Sequence, residues 1–413
     1  MIIGKNHLQL LDGNMNKLFN PKSVAIIGVS SNPNKWGNWL AEQVARHSEI
    51  RKVYFVNPKK EIIFGVPSLS CIDHIPEPID VAVVAVPTLM FEKTVSELLD
   101  HGTDIIIGIT ADVNADVQKR VVEKCRLAGV YFVGPNCAGV WSNNFHCLPV
   151  GEFTLGSVAM ISQSGGVLVD VYDRLKEIGL GFSKALSIGN QTDLSFKDVL
   201  PFLEEDPATK IIVLYVENTD SIPYSYIGLM TKPVLVLSAI ATPMAKTAAT
   251  MHTNSELTYG ADITSISDLI ARIQLKLYNK TAKGNNIAVI TDSGGVGVLI
   301  NSLAERVGLN VVSYTDLIGI PSAFSQKTYD VLDEVMRAPS VDAIIVNLHL
   351  YNKDYDEKTS GELIAELVQS TEKPVIFSCR SFANLGTKAL LRRSIPVYRD
   401  IETAIEAVKK LCG

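Results

Sequence analysis

Val24-Ala25-Ile26-Ile27-Gly28-Val29-Ser30-Ser31-Asn32-Pro33 is the stretch that decides how this chain folds. An aliphatic run meets a glycine turn, and a helix-forming stretch follows. That is the opening unit of a layered α/β domain. Such a turn aims backbone N–H groups and a positive helix end at an anion. A second turn of the same kind, Ile161-Ser162-Gln163-Ser164-Gly165-Gly166, stands mid-chain. Far downstream comes a histidine, His252, within Ala248-Ala249-Thr250-Met251-His252-Thr253-Asn254. A histidine brought to such a turn can carry a phosphoryl group.

Working outward, short apolar runs alternate with amphipathic stretches along the chain. In the first third the runs at 24–28, 53–57, 81–86, 105–109 and 131–133 read as parallel strands covered on both faces. Helical stretches lie between them at 39–47, 91–100 and 117–127. A second series has strands at 157–161, 183–188, 211–216 and 234–238, with helices at 167–177, 196–204 and after Ser265. The Lys-, Asn- and Gly-rich stretch 279–286 reads as a linker. A third series has strands at 287–291, 310–313, 343–347 and 375–379 and closes with a helix at 401–411. Two pairs of segments recur between the second and third series. Ser162–Gly166 matches Thr291-Asp292-Ser293-Gly294-Gly295, and Lys232-Pro233-Val234 matches Lys373-Pro374-Val375. Two related domains in tandem would account for both pairs.

The composition narrows the function classes. The chain has 413 residues, 47% hydrophobic and 20% charged, which is enough for about three packed domains. Its net charge of −6 speaks against a nucleic-acid partner. No apolar run approaches the ~18 residues of a membrane span. The first twenty residues, which include His7 and Asp12, lack the apolar centre of a signal peptide. Six cysteines without a CxxC pair suggest neither a disulfide framework nor a zinc site. A cytoplasmic protein with reduced thiols and no metal ligands of its own is expected.

The first turn is not a full dinucleotide fingerprint. Ser30 stands where a second glycine would be, and Gly37 comes late. The next strand ends in Val56-Asn57-Pro58-Lys59-Lys60, without the acidic residue that takes a ribose in NAD sites. Two lysines suit a phosphorylated ribose, as in CoA or NADP. The missing fingerprint favours CoA. An empty turn with two solvated lysines is the plainer alternative, and an NADP oxidoreductase is a third. Ligands of open parallel sheets sit outside the carboxyl ends of the strands. Val86-Pro87, Ile109-Thr110 and Gly134-Pro135-Asn136-Cys137 end the later strands and would wall one groove. Cys137 reads as a small buried cysteine or as a nucleophile.

In the second series, Ser162, Ser164, Gly165 and Gly166 could bind phosphate at a helix start. The macrodipole contributes only about 0.3–1 kcal/mol there, so several donors must converge on a dianion. Glu217 ends the strand at 211–216. A carboxylate on one imidazole nitrogen fixes the tautomer and frees the other nitrogen for attack. Read from the residues alone, Glu217 is also a solvated loop charge and His252 a loop or capping histidine.

In order along the chain, several segments carry a family resemblance. They are Leu18-Phe19-Asn20-Pro21-Lys22-Ser23, Tyr54-Phe55-Val56-Asn57-Pro58-Lys59, Gly134-Pro135-Asn136-Cys137-Ala138-Gly139, the Ser162–Gly166 turn, Ser187-Ile188-Gly189-Asn190, Asp206-Pro207-Ala208-Thr209-Lys210 and Leu214-Tyr215-Val216-Glu217. Together they resemble the NDP-forming acyl-CoA synthetases of the succinyl-CoA synthetase superfamily, in their alpha-type part.

The resemblance implies a Rossmann-like CoA-binding domain over 1–145 and two flavodoxin-like ligase domains over 146–282 and 283–413. It implies that CoA lies on Gly28, Ser30, Ser31, Asn32, Pro33, Asn57, Lys59, Val86, Pro87, Ile109 and Asn136. His252 would be phosphorylated in turnover, steadied by Glu217, with its phosphate on Ser162, Ser164, Gly165 and Gly166. The reaction implied joins a small carboxylic acid to CoA through an acyl-phosphate, at the expense of an NTP. Nothing in the chain resembles an ATP-grasp module. A beta-type ATP-grasp subunit holding Mg²⁺ and ATP or GTP, and hence a hetero-oligomer, is therefore implied.

The chain departs from the family pattern in places. Leu237-Ser238-Ala239-Ile240-Ala241 replaces the usual Lys and Gly-Arg before the histidine, and Asn254 replaces the usual glycine after it. The stretch 255–269 is short, and the Asn-Pro-Val-Asp motif expected before Ser340-Val341-Asp342-Ala343 is absent. These departures leave one alternative, a CoA- or acyl-CoA-binding regulatory or scaffolding subunit without a phosphoryl relay.

Overall fold

A computed structural model describes residues 15–46, 51–148, 154–239, 244–246, 263–320, 322–349 and 356–412. The chain divides into two compact units. The first comprises Met1–Asp173 with Leu180–Ile266, and the second Arg174–Gly179 with Ser267–Gly413.

The first unit holds two sheets. In the first sheet the strands are β1 (Ser23–Ile27), β2 (Lys52–Val56), β3 (Ile62–Ile63), β4 (Val66–Leu69), β5 (Val81–Val84), β6 (Ile105–Gly108) and β7 (Tyr131–Val133). Their order is β3-β4-β2-β1-β5-β6-β7, parallel apart from β3. Without β3, this is the 3-2-1-4-5-6 order of dinucleotide-binding folds. The sequence explains why both faces are covered. Val24 and Ile26 of β1 point into one apolar cluster with Leu40 and Val44 of the helix Trp36–Ala45. Ala25 and Ile27 point the other way, into a cluster with Phe91, Val95 and Leu98 of the helix Thr88–His101. The period of two along the strand puts successive side chains on opposite faces. Each face meets a helix, so the strand is apolar throughout.

In the second sheet the strands are β8 (Val140–Ser142), β9 (His146–Cys147), β10 (Leu155–Ser162), β11 (Phe182–Ser187), β12 (Ile211–Tyr215) and β13 (Val234–Leu237). Their order is β13-β12-β10-β11-β8-β9. The four later strands are parallel, in flavodoxin-like order, and β8 and β9 add an antiparallel edge. The β8–β9 hairpin straddles residue 145, and it belongs to this sheet rather than to the first. Arg51 ties it back. This 8%-exposed guanidinium donates to the carbonyls of Pro21 and Asn144 and lies over the Phe145 ring.

The second unit holds the third sheet, β14 (Asn286–Thr291), β15 (Asn310–Asp316), β16 (Ala343–Leu348), β17 (Val375–Cys379) and β18 (Val397–Tyr398), all parallel in the order β15-β14-β16-β17-β18. That order is again flavodoxin-like. The recurring Lys-Pro-Val segments do the same job in both ligase-type sheets. Lys232 Nζ donates to the carbonyls of Leu203 and Asp206 at the end of the helix Phe196–Glu205. Lys373 Nζ donates to the carbonyl of Ala338, the C-cap of the helix Gln326–Arg337. The short hairpins β3–β4 and β8–β9 and the edge strand β18 are absent from the sequence reading. Runs of two to four residues are too short to show a period. Among the described residues no helix is long and apolar enough to cross a membrane.

Candidate functional site

An open parallel sheet leaves a crevice where the strand order reverses. In the first sheet that point lies between β1 and β5. Gly28 leaves β1 with a φ of 94°, and a Cβ there would fall 2.5 Å from the Ala85 carbonyl oxygen. A Cβ on Gly37 would fall 2.1 Å from the Gly28 carbonyl oxygen. Both positions therefore bring backbone against backbone, and the loop between them is closed on itself. Its polar side chains hold it in shape. Ser30 Oγ accepts the Asn32 N–H, Asn32 Oδ1 accepts the Asn34 N–H, and Asn38 Nδ2 donates to the Ser30 carbonyl. Trp39 Nε1 donates to the Pro33 carbonyl at 2.7 Å. Asn57, buried at the tip of β2, donates to the Val29 carbonyl and accepts the Lys59 N–H. Ser31, Pro33 and Lys59 are exposed.

A groove of about 720 Å³ gathers Val86, Pro87, Ile109 and Asn136 from the first sheet with Gly165 and Gly166 from the second. Trp36, Trp39 and Gln163 line it too, and the sequence reading missed these three. Gln163 lies within the Ser162–Gly166 motif. The tryptophans could have been noticed as two large apolar residues at the start of the helix that follows the Gly28 loop. Gly28, Ser30, Ser31, Asn32, Pro33, Asn57 and Lys59 are not among the lining residues.

In the second sheet the order reverses between β10 and β12. Ser162 ends β10 and is fully buried. Its hydroxyl donates to the Ser164 carbonyl at 2.5 Å and accepts the Ser164 N–H at 3.1 Å, so it shapes the turn from within. Ser164 Oγ accepts the Val167 N–H in the first turn of the helix Gly165–Glu177. A Cβ on Gly165 would meet the Ala138 Cβ at 2.5 Å, so this turn packs directly on the loop that ends the first sheet.

Across the crevice, Glu217 is 5% exposed, which removes the solvated-charge alternative for that residue. Its N–H donates to Gln163 Oε1 at 2.5 Å. Tyr215 beside it has its phenol pushed up to about 12, first by burial and then by the Glu217 charge. The turn and Glu217 therefore flank one reversal point, with a helix N-terminus on one side and a buried carboxylate on the other. His252 lies outside the described residues.

Cys137 is not a nucleophile. It is 4% exposed, its Sγ lies 3.3 Å from the Gly108 carbonyl, and burial pushes its thiol up to about 12. A protonated, enclosed thiol does not attack. Iodoacetamide at pH 8 is therefore expected to label the exposed Cys71 and leave Cys137 unlabelled in the folded protein, read by peptide mass spectrometry. Labelling of Cys137 as fast as Cys71 would contradict this. Among the described residues no group of three or more His, Cys, Asp or Glu is placed to hold a metal ion.

The third sheet repeats the turn with other side chains. Thr291 Oγ1 donates to the Ser293 carbonyl and accepts the Ser293 N–H, as Ser162 does with Ser164. Asp292 Oδ2 accepts the His349 N–H at 2.7 Å, as Gln163 does with Glu217.

Comparison with known proteins gives matches consistent with this geometry. Residues 22–143 match the family described as CoA binding domain, and residues 155–265 the family described as succinyl-CoA ligase like flavodoxin domain. The chain is 29% identical to the acetate–CoA ligase (ADP-forming) II subunit alpha of Pyrococcus furiosus, over 95% of this chain and 96% of that one. It is 31% identical to the acetate–CoA ligase (ADP-forming) of Methanocaldococcus jannaschii over 68% of this chain, and it spans 42% of that protein's length. A dinucleotide-forming acetyl-coenzyme A synthetase 1 of Ca. Korarchaeum cryptofilum, solved with phosphate and ADP, superposes with a TM-score of 0.79 at 22% identity, covering 96% of each chain. At that identity the superposition establishes the fold.

Proposed function

The chain belongs to the ADP-forming acyl-CoA synthetases, in their alpha-type form and related to the succinyl-CoA synthetase superfamily, and from that premise we propose that it makes acyl-CoA through a phosphorylated His252. One observation carries the proposal. The Ser162–Gly166 turn and the buried Glu217 lie on the two sides of the β10–β12 reversal, joined by the bond from the Glu217 N–H to Gln163 Oε1, and the turn opens on the groove that starts at the first sheet.

Three functional parts are proposed, 1–145 for CoA, 146–282 for the phosphoryl relay and 283–413 as a second ligase domain. The groove fits an elongated ligand with an anionic end. Its walls are largely apolar, and beside it the close backbone approach at Gly28 and Gly37 leaves no room for a side chain in the Gly28–Pro33 loop. Val86, Pro87, Ile109 and Asn136 would hold the arm of CoA, the Gly28–Pro33 loop its pyrophosphate, and Lys59 its ribose phosphate. Once bound, CoA supplies the thiol that displaces phosphate from an acyl-phosphate. Asn57 and Ser30 act indirectly, by fixing the loop.

Glu217 holds one nitrogen of His252 and balances the positive charge that grows on the ring as the other nitrogen takes a phosphoryl group. The amides at the start of the helix Gly165–Glu177, with Ser164, hold the transferred dianion. His252 then passes the group to the carboxylate of a small acid, giving the acyl-phosphate, and recovers its lone pair. In the reverse direction it takes phosphate from the acyl-phosphate. Nucleotide and Mg²⁺ belong to a beta-type ATP-grasp subunit, with which this chain forms a hetero-oligomer.

The test combines the chain with such a subunit, ATP, Mg²⁺, CoA and a panel of small carboxylic acids, and follows thioester and nucleotide by chromatography. One thioester is expected per ADP, and none without the partner. AMP in place of ADP, or no thioester from any acid, would contradict the proposal. Lys59→Glu is expected to raise the KM for CoA about tenfold, an effect that shrinks in 0.5 M salt, because an exposed charge contact is screened. An unchanged KM at low salt would remove Lys59 from the site.

A further inference from the structure

Gln163 makes hydrogen bonds in two directions. Its Oε1 accepts the Glu217 N–H at 2.5 Å, and its Nε2 donates to Gln191 Oε1 at 2.7 Å. Gln163 is 7% exposed; its bond to Glu217 is buried and its bond to Gln191 part-buried. The third sheet shows which of the two the fold itself requires. There the equivalent position is Asp292, whose shorter side chain locks the tip of the neighbouring strand through the His349 N–H. An aspartate would suffice for that. The extra length and the amide donor of Gln163 serve the second bond.

Gln191 sits on a loop that is zipped to the end of the first sheet. The Asn190 N–H donates to the Pro135 carbonyl at 3.0 Å, Thr192 Oγ1 donates to the Gly134 carbonyl at 2.6 Å, and the Ala138 N–H donates to Ser187 Oγ at 3.0 Å. Asn136 Nδ2, on the groove wall, donates to Asn190 Oδ1 at 3.3 Å. Hydrogen bonds on either side of the Asn190–Gln191 peptide therefore connect Asn136 on the groove wall to Gln163, and Gln163 to the backbone of Glu217.

We infer that Gln163 is a positioning residue that couples the CoA groove to the phosphate turn, so that filling the groove steadies Glu217. The inference rests on the proposed function for its consequence, which is that a filled groove alters phosphoryl loading of His252. The link itself is a statement about the fold. By linkage, whatever groove occupancy does to the Glu217 segment, that segment does in return to groove affinity.

The test uses desulfo-CoA, which fills the groove without a reactive thiol, on the chain assembled with its nucleotide-bearing subunit. Hydrogen exchange of the Glu217 amide is the first readout, and phosphate loading of His252 from ATP the second. In the native protein desulfo-CoA is expected to slow exchange at Glu217 fivefold or more and to change the loading rate. Gln191→Leu is expected to abolish both responses while leaving the loading rate without ligand unchanged. Gln191→Glu keeps an acceptor for Gln163 Nε2 and is expected to keep both responses. Gln163→Met, which frees the Glu217 N–H as well, is expected to speed exchange there even without ligand.

A native protein whose Glu217 exchange ignores desulfo-CoA, or a Gln191→Leu protein that responds in full, overturns the inference. Exchange coupling without any phosphate on His252 leaves the link standing and refutes the relay.

Discussion

His252→Asn is expected to lower acyl-CoA formation about a thousandfold or more while CoA still binds, because removing a covalent nucleophile takes away an entire route rather than one contact. Asparagine matches the ring in polarity and approximate reach but has no nitrogen that can carry a phosphoryl group. The surroundings cannot substitute. Ser162 is fully buried and its hydroxyl already bridges the turn, so it is not available as an acceptor. Cys137 is enclosed and protonated. The measurement is steady-state turnover of the assembled enzyme beside calorimetric titration with CoA. Turnover within tenfold of the native protein would show that the phosphoryl group takes another path.

The second large effect is expected at Gly37→Ala. One methyl at this position would lie 2.1 Å from the Gly28 carbonyl oxygen and 3.2 Å from the Val29 Cα. Both obstacles are backbone, so neither can turn aside as a flexible side chain would. The helix Trp36–Ala45 or the Gly28 loop must move, and that loop is the proposed pyrophosphate seat. Overpacking of this kind costs about 1–3 kcal/mol. If about 2.7 kcal/mol of it falls on the bound state, CoA affinity drops about a hundredfold. Circular dichroism of the variant is the control that the fold is retained. CoA affinity within twofold of the native value would mean that the loop is not part of the site.

The fold is legible in the sequence at strands such as β5 and β6. Each is a short unbroken apolar run, because helices cover both of its faces. Such runs leave a mark in any window of the sequence. The hairpin Val140–Cys147 leaves none, being two strands of two and three residues held to β11 by pairing with a distant segment. The site was legible where chemistry needs a local pattern, at the Ser162–Gly166 turn. It was illegible where burial decides. Glu217 in sequence is an acid after a strand, and only the pairing of β10 with β12 encloses it. For the same reason Gln163 passed as a motif letter, since its partners Glu217 and Gln191 lie 54 and 28 residues away. The bonds that Asn57 and Ser30 make within the loop likewise join residues that only the fold brings together or only the turn's shape defines.

The most direct test is to load the assembled enzyme with γ-labelled ATP and Mg²⁺ and ask where the phosphate resides. One acid-labile, base-stable phosphate per chain is expected, on the peptide containing His252, discharged by adding acid and CoA together. A chain that turns over fully while its His252 peptide never carries label would contradict the account at its centre.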